Sequence, residues 1–404
     1  MKVKVNSKKG LIGIVIIAII LGIMLMALLI NNKNSKSDKT LIEFLKQSLL
    51  LKEEEVYEKE EDDKDEEVPQ IVERNNEEIS ILPTMLEEIK PNSIWCPTFQ
   101  LIWNDMVNEV VKQEVVFNPQ EEMVENLNKQ EFKEEMISDE LYYKTYGLKT
   151  IELKEKIEKG IKDKFNEKSS ILDTINWADE DIKDTNDIEK YIFYSMLKRE
   201  FKFENKFTTL ETAPFGDKYK DIKYFGINSD TEDAVRNQVK VLYYNSDNDF
   251  AVEISTKQGD KLILSRGCEK NNFSDIYKEI NQKAGAFEGD KEFLEKDNLK
   301  IPNIKINEKK EYEELENKPF IAKDGRTAEI ADAIQIIEFE LDSEGGKVKS
   351  EALMQVTFTS AIDTDKKAPR NFYFEDEFVI FIKEENKELP YLACKISDIS
   401  LYQK

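Results

Sequence analysis

Residues 331–383 read ADAIQIIEFELDSEGGKVKSEALMQVTFTSAIDTDKKAPRNFYFEDEFVIFIK, and this stretch decides the fold. It opens with a predicted apolar strand at 333–341 and then breaks at two adjacent glycines. After the break every second residue is small or apolar, a period that is typical of a half-buried strand. The residues of this alternating set are Gly346, Val348, Ser350, Ala352, Met354, Val356 and Phe358. An unbroken apolar run at 378–382 predicts a further strand, buried on both faces.

The alternating set allows two interpretations. It could be the second of three consecutive strands in an ordinary sheet. It could also be a mobile loop that has the pattern of a strand and is held between two fixed strands. The residues alone leave both open.

Two segments of this region resemble the C-terminal third of the serpins, a large family of loop-inserting protease inhibitors. ADAIQIIEFELDSEGG resembles the strand and hinge that precede a serpin reactive loop. PRNFYFEDEFVIFIKEENKELPYLACKISDIS resembles the closing pair of core strands. With weaker matches upstream, the resemblance covers roughly residues 73–402. It implies an α+β, serpin-like fold with a large mixed main sheet, additional smaller sheets and surrounding helices.

The resemblance implies a protease inhibitor and not an enzyme, with a reactive loop at about 345–371. In that family a serine or cysteine protease cleaves the loop, whose N-terminal arm then inserts into the main sheet as a new strand. The family's spacing places the reactive bond between Thr359 and Ser360, while Lys366, Lys367 or Arg370 would suit a trypsin-like protease. The hinge and inserting face would be Gly345, Gly346, Val348, Ser350, Ala352, Met354, Val356 and Phe358.

Several residues depart from the family pattern. Phe99 stands where serpins usually have a small hydroxyl residue, and Gln335 stands where they have a histidine, so an apolar replacement of the usual polar cluster is expected. Lys349 and Glu351 interrupt the usual run of small hinge residues. The alternative hypothesis is therefore a serpin-fold protein that no longer inhibits and acts as a surface binding or structural module. A third is an unrelated α+β surface protein.

Composition excludes several classes of function. The chain of 404 residues carries a formal net charge of -24, which disfavours nucleic acid as a partner. It contains no histidine, which excludes Ser-His-Asp and Cys-His catalysis and removes the commonest transition-metal ligand. We expect the protein to have no catalytic, metal or cofactor site. We also expect it to be a monomer.

Cys96, Cys268 and Cys394 are an odd set and predict free thiols.

The N-terminal part of the chain predicts a membrane anchor. Residues 11–30 carry no charge and are long enough to cross a bilayer as a helix. We predict a cytoplasmic N-terminus at 1–10, an uncleaved signal anchor at 11–30, and a polar and acidic linker at 31–72 with an amphipathic helix at 40–51. The serpin-like domain would span 73–404. The protein would be single-pass in the cell membrane, with this domain outside the cytoplasm.

Patterns in the remainder predict further elements. They are a short helix at 79–89, amphipathic helices within 118–143, a surface helix around 157–165 and three strands within 239–264. The serpin resemblance further implies a strand entering a central helix at 92–106, a long strand at 187–207 and one strand at 299–306.

Overall fold

The computed structural model describes residues 79–169, 171–173, 175–177, 190–330, 332–345 and 369–403. The chain divides into two units, Met1–Asn75 and Asn76–Lys404, and every described residue belongs to the second. No helix of the described ranges is long and apolar enough to span a membrane. The predicted anchor at 11–30 lies outside those ranges, so it stays a prediction.

Helices and strands both build the second unit, which confirms an α+β class. The α-helices are α1 (Thr98–Asp105), α2 (Glu122–Asn128), α3 (Ile151–Phe165), α4 (Asp233–Arg236) and α5 (Phe273–Ala286), and a π-helix, Met106–Val111, continues α1. The strands are β1 (Ser80–Leu82), β2 (Ser93–Trp95), β3 (Tyr142–Leu148), β4 (Tyr191–Leu197), β5 (Thr208–Thr209), β6 (Ala213–Phe215), β7 (Tyr219–Ile222), β8 (Tyr224–Ile227), β9 (Val239–Ser246), β10 (Asp249–Ser255), β11 (Asp260–Arg266), β12 (Asn298–Pro302), β13 (Ile304–Glu311), β14 (Phe320–Ile321), β15 (Thr327–Ala328), β16 (Ile334–Leu341), β17 (Asn371–Tyr373), β18 (Phe378–Glu384) and β19 (Leu392–Ile396).

The largest sheet has seven strands in the order β1-β2-β19-β18-β11-β10-β9. It is mixed, because β1 and β2 are parallel whereas the other neighbours are antiparallel. The first five residues of β18 are buried, as the apolar run at 378–382 predicts. One face of β18 packs on α5, where Phe381 meets the rings of Phe273 and Tyr277. A second sheet has the order β17-β12-β8-β5.

Several predicted elements are confirmed. The three strands expected within 239–264 are β9, β10 and β11. The strand and helix expected at 92–106 are β2 and α1, and Pro97 stands at the helix N-cap. The surface helix is α3, whose Thr150 side chain accepts a hydrogen bond from the Leu153 N–H at the N-cap. The three cysteines are free, and burial raises the pKa of the Cys96 thiol to about 11.

Four predictions are wrong in detail. The helix expected at 79–89 is β1 followed by a turn, because parallel pairing with β2 outweighs local periodicity. The strand expected at 299–306 divides at Asn303 into β12 and β13, which belong to different sheets. The strand expected at 187–207 is described as β4 alone, which ends at Leu197. Residues 118–143 contain one α-helix, α2, two 3-10 turns and the start of β3.

The large mixed sheet that was predicted is present as the seven-stranded one. Strands β4 and β16 lie outside it, in two separate antiparallel pairs, β3–β4 and β13–β16. The free edges of β4 and β16 therefore have no strand partner within the described ranges, and the region between these two edges is called the cleft below.

Candidate functional site

Helix α1 supports the strands on both sides of the cleft. Phe193 of β4 packs against the apolar cluster that contains Phe99 and Trp103 of α1. On the other side, the Gln335 side chain of β16 hydrogen-bonds to the start of the same helix. Since both strands rest on one helix, the cleft has a common floor.

Beneath β16 a buried polar cluster takes the place of the expected apolar one. The Gln335 Nε2 donates to the Thr98 Oγ1 at 3.0 Å and to the Cys96 carbonyl oxygen at 3.1 Å. The Tyr312 hydroxyl donates to the Gln335 Oε1 at 2.7 Å. Phe99 does lie in an apolar cluster, against which Phe193 packs, but the polar cluster beside it was missed. Thr98, next to Phe99 in the chain, supplies the hydroxyl of this cluster. Its presence beside Phe99 is the sequence feature that could have predicted a polar cluster here.

The outer face of β4 is covered by α3. Ile157 and Ile161 of this helix are fully buried in a cluster that contains Tyr194 of β4. Successive residues of β4 therefore face opposite layers: Tyr194 faces α3, whereas Phe193 faces the cluster of α1. This alternation is what a half-buried strand requires.

The chains that leave β4 and β16 meet beyond the C-terminal ends of these strands. The Phe203 N–H donates to the Glu344 carbonyl oxygen at 3.0 Å, and the Phe207 N–H donates to the Ser343 carbonyl oxygen at 2.9 Å. Lys202 also forms an antiparallel bridge with Gly345. The cleft is therefore closed at this end.

Gly345 is the one predicted hinge residue that lies within the described ranges, and it is bridged on both sides. It pairs antiparallel with Asp342, through N–H to carbonyl hydrogen bonds of 3.0 and 3.3 Å, and antiparallel with Lys202. The two residues between Asp342 and Gly345 form a tight turn, so the chain reverses direction here. Gly345 thus joins the segment that follows β4 to the segment that follows β16.

Gly345 also meets a strict steric requirement. Its φ is +128°, and a Cβ built there would lie 2.4 Å from the Phe201 carbonyl oxygen and 2.7 Å from the Lys202 Cα. Both atoms belong to the backbone, which cannot move aside cheaply. Only glycine fits this approach.

We expect Gly345→Ala to destabilise the uncut protein by about 2–3 kcal/mol, because the methyl group would push the backbone of Phe201 and Lys202 away from residue 345. Thermal unfolding measures the effect. The matched control is Gly325→Ala: Gly325 has φ +88°, but a Cβ there meets nothing within 4 Å. Equal losses for the two variants would show that positive φ, and not the close approach, sets the cost.

The other end of segment 346–368 is fixed by Arg370. Its Nη1 donates to the Asp290 carbonyl oxygen at 2.7 Å, its Nη2 to the Glu292 carbonyl oxygen at 2.7 Å, and its Nε to the Asp297 carboxylate at 3.2 Å. The side chains of Arg370 and Asp297 are 13% and 1% exposed. The next residue begins β17, which pairs with β12. Arg370 is therefore unsuitable as the residue that a trypsin-like protease would recognise, and the expectation from the sequence is corrected for this residue.

The remaining predicted site residues lie outside the described ranges. They are Gly346, Val348, Ser350, Ala352, Met354, Val356, Phe358, Thr359, Ser360, Lys366 and Lys367. Within the described part of the chain, no group of three or more acidic or cysteine side chains could hold a metal ion.

No protein-family model and no curated protein matches the chain. Among solved structures it is similar to Serpin48, a highly specific serpin of the insect Tenebrio molitor, at 13% identity and a TM-score of 0.44 over 77% of this chain and 92% of that chain. It is also similar to thyroxine-binding globulin in complex with thyroxine, at 11% identity and a TM-score of 0.41 over 76% and 92% of the two chains. A human thyroxine-binding globulin complex gives 12% identity and a TM-score of 0.36 over 60% and 63%. Similarity at this level assigns neither an activity nor a ligand to the chain.

Proposed function

We propose that the chain is a serpin-like protease inhibitor whose reactive loop, at about 345–371, inserts into the cleft after a protease cleaves it. The observation that carries this proposal is the double bridge of Gly345 to Asp342 and Lys202. The chain that continues from Gly345 would run antiparallel to both β4 and β16. One edge of β4 and one edge of β16 have no strand partner among the described residues, and they would offer it backbone N–H and C=O groups on both sides.

The register of the turn supports the predicted inserting face. If the register of the Asp342–Gly345 pair continued, each alternating residue would lie opposite a buried residue of β16. The opposed pairs are Leu341 with Gly346, Phe339 with Val348, Ile337 with Ser350 and Gln335 with Ala352. The face predicted from the sequence alone is thus the face that would enter the core.

The same register accommodates the charged residues of the hinge. Lys349 would lie opposite Glu338, an exposed residue of β16, and Lys347 would lie opposite Glu340. Opposite charges on directly facing positions stabilise antiparallel strands by about 0.2–1 kcal/mol. Lys349 departs from the family pattern but complements the strand beside it.

The energy for insertion would come from burial and backbone pairing. Six inward side chains, at about 1 kcal/mol each, together with the new backbone hydrogen bonds would contribute roughly 5–10 kcal/mol. A serine or cysteine protease would first cleave the loop, between Thr359 and Ser360 in our prediction. The nucleophile of the protease would then remain bonded to the carbonyl carbon of Thr359 as an acyl-enzyme. Insertion would then carry the attached protease along the cleft and distort it before hydrolysis releases it.

The test is incubation of the protein with a panel of serine and cysteine proteases, followed by denaturing electrophoresis. We expect a covalent one-to-one adduct with at least one of them. Val348→Asp, which would place a carboxylate in the core, should abolish the adduct and leave cleavage intact. The matched control, Gln355→Asp, puts the same side chain on the outward face and should keep the adduct. Cleavage by several proteases without any adduct would favour the non-inhibitory binding module.

We further propose that residues 11–30 anchor the protein in the cell membrane with the second unit outside. The supporting observation is the uncharged run of the sequence. Protease added to intact cells should then digest the domain. A domain that survives on intact cells but is digested in lysates would contradict this orientation.

A further inference from the structure

A second feature of the molecule is a cavity of about 420 Å³ at the end of the antiparallel β3–β4 pair where β4 begins. Three segments surround it: the end of the π-helix, the turn between β14 and β15, and facing residues of β3 and β4. We call it the basic aromatic cavity. Its lining residues are Glu109, Val110, Val111, Lys112, Tyr146, Tyr191, Lys323, Asp324 and Arg326. Cavities of roughly 300–1,000 Å³ hold small molecules in proteins.

One wall of the cavity is aromatic. Tyr146 and Phe193 are a cross-strand pair whose ring centroids lie 5.5 Å apart at an interplanar angle of 19°. Tyr191 continues the stack, 6.3 Å from Phe193 at 25°. Tyr146 and Tyr191 line the cavity, and their hydroxyls make no hydrogen bond with a described residue. The wall therefore offers flat apolar faces together with two hydroxyls that can still bond.

The opposite side carries two exposed lysines, Lys112 and Lys323. Neither Lys112 nor Lys323 forms an ion pair or a side-chain hydrogen bond within the described ranges, whereas Arg326 pairs with Asp324 at 2.9 Å. Three cations and two acidic groups line the cavity, which makes it locally basic.

The backbone fixes the two lysines near each other. The Lys323 N–H donates to the Val111 carbonyl oxygen at 2.9 Å, which ties the β14–β15 turn to the residue before Lys112. Lys112 adopts φ +59°, a left-handed conformation that is uncommon for a residue with a side chain. It follows a π-helix, and both features are frequent at functional sites.

We propose that the basic aromatic cavity binds a small aromatic carboxylate. The planar ring stacks on Tyr146 and Tyr191, while the carboxylate lies between the ammonium groups of Lys112 and Lys323. Stacking places the apolar ring of the ligand against the aromatic wall of the cavity. The two lysine cations favour an anionic ligand over a neutral molecule of the same shape. The proposal stands apart from loop insertion, since no residue of 346–368 takes part in it.

Isothermal titration of the full-length chain with naphthalene-2-carboxylate tests the proposal, with the neutral naphthalene-2-carboxamide as the matched probe. We expect saturable one-to-one binding of the carboxylate, weakened by added salt, and binding of the carboxamide about tenfold weaker or more. The double variant Lys112→Gln, Lys323→Gln should weaken carboxylate binding by about tenfold or more.

Lys240→Gln serves as the control variant, because Lys240 is an exposed lysine of β9 with no part in the cavity. It should bind like the parent. Both lysine variants change exposed side chains, and an unchanged melting temperature verifies that each is folded. No saturable binding, equal binding of the two probes, or undiminished binding by the folded double variant would overturn the proposal.

Discussion

Cutting the chain within 346–368 is expected to make the protein more stable. Insertion of the freed arm would bury the alternating face from Gly346 to Phe358 and would pair the free edges of β4 and β16. A gain of roughly 5–10 kcal/mol corresponds to a rise in melting temperature of about 10–20 °C for a domain of this size. Calorimetry of the intact and the singly nicked protein measures this shift.

The inward and outward faces supply the control for this experiment. Val348→Asp should remove most of the rise, because its carboxylate would be buried opposite Phe339 without a partner. Gln355→Asp, on the outward face, should leave the rise nearly intact. A clean nick that leaves the melting temperature unchanged or lower in the parent protein would contradict loop insertion.

The second large effect is expected at the fixed C-terminal end of segment 346–368. Arg370→Met should destabilise the protein by about 3–5 kcal/mol, because it leaves the buried Asp297 carboxylate without its cation. The backbone carbonyl oxygens of Asp290 and Glu292 lose their donors as well. In thermal unfolding the loss corresponds to a fall of roughly 5–10 °C.

An exposed arginine gives the matched comparison. Arg326 pairs with Asp324, and the two side chains are 54% and 52% exposed. Arg326→Met should therefore cost about 1 kcal/mol or less, because exposed ion pairs contribute little. If both variants unfold at the same temperature as the parent, the Arg370 contacts do not hold β17 in place.

The sequence predicts those elements whose burial follows from a local pattern. The apolar runs of β16 and β18 and the helical spacing of α1 and α3 each contain enough residues to identify the element. Strand β1 has three residues, and only its parallel pairing with β2 makes it a strand. A pattern so short has no period to detect.

The site was predicted in part for the same reason. The alternating pattern after Gly346 and the glycine pair at the hinge are local features of the sequence, and of these residues only Gly345 lies within the described ranges. The contact of Gly345 with Lys202, the bond of Gln335 to Thr98 and the ion pair of Arg370 with Asp297 join residues far apart in the chain. Such pairings depend on the folded topology, which no local spacing encodes.

The polar cluster beneath β16 has a consequence for the response to acidity. Where a histidine would gain a proton near pH 6.5, Gln335 stays neutral. Burial raises the pKa of Tyr312 well above its usual value, so its hydroxyl keeps its proton and goes on donating to the Gln335 amide oxygen. Thr98 does not titrate either. The floor of the cleft therefore has the same hydrogen-bond pattern at pH 5 as at pH 8, and this cluster cannot serve as an acid-triggered release for β16.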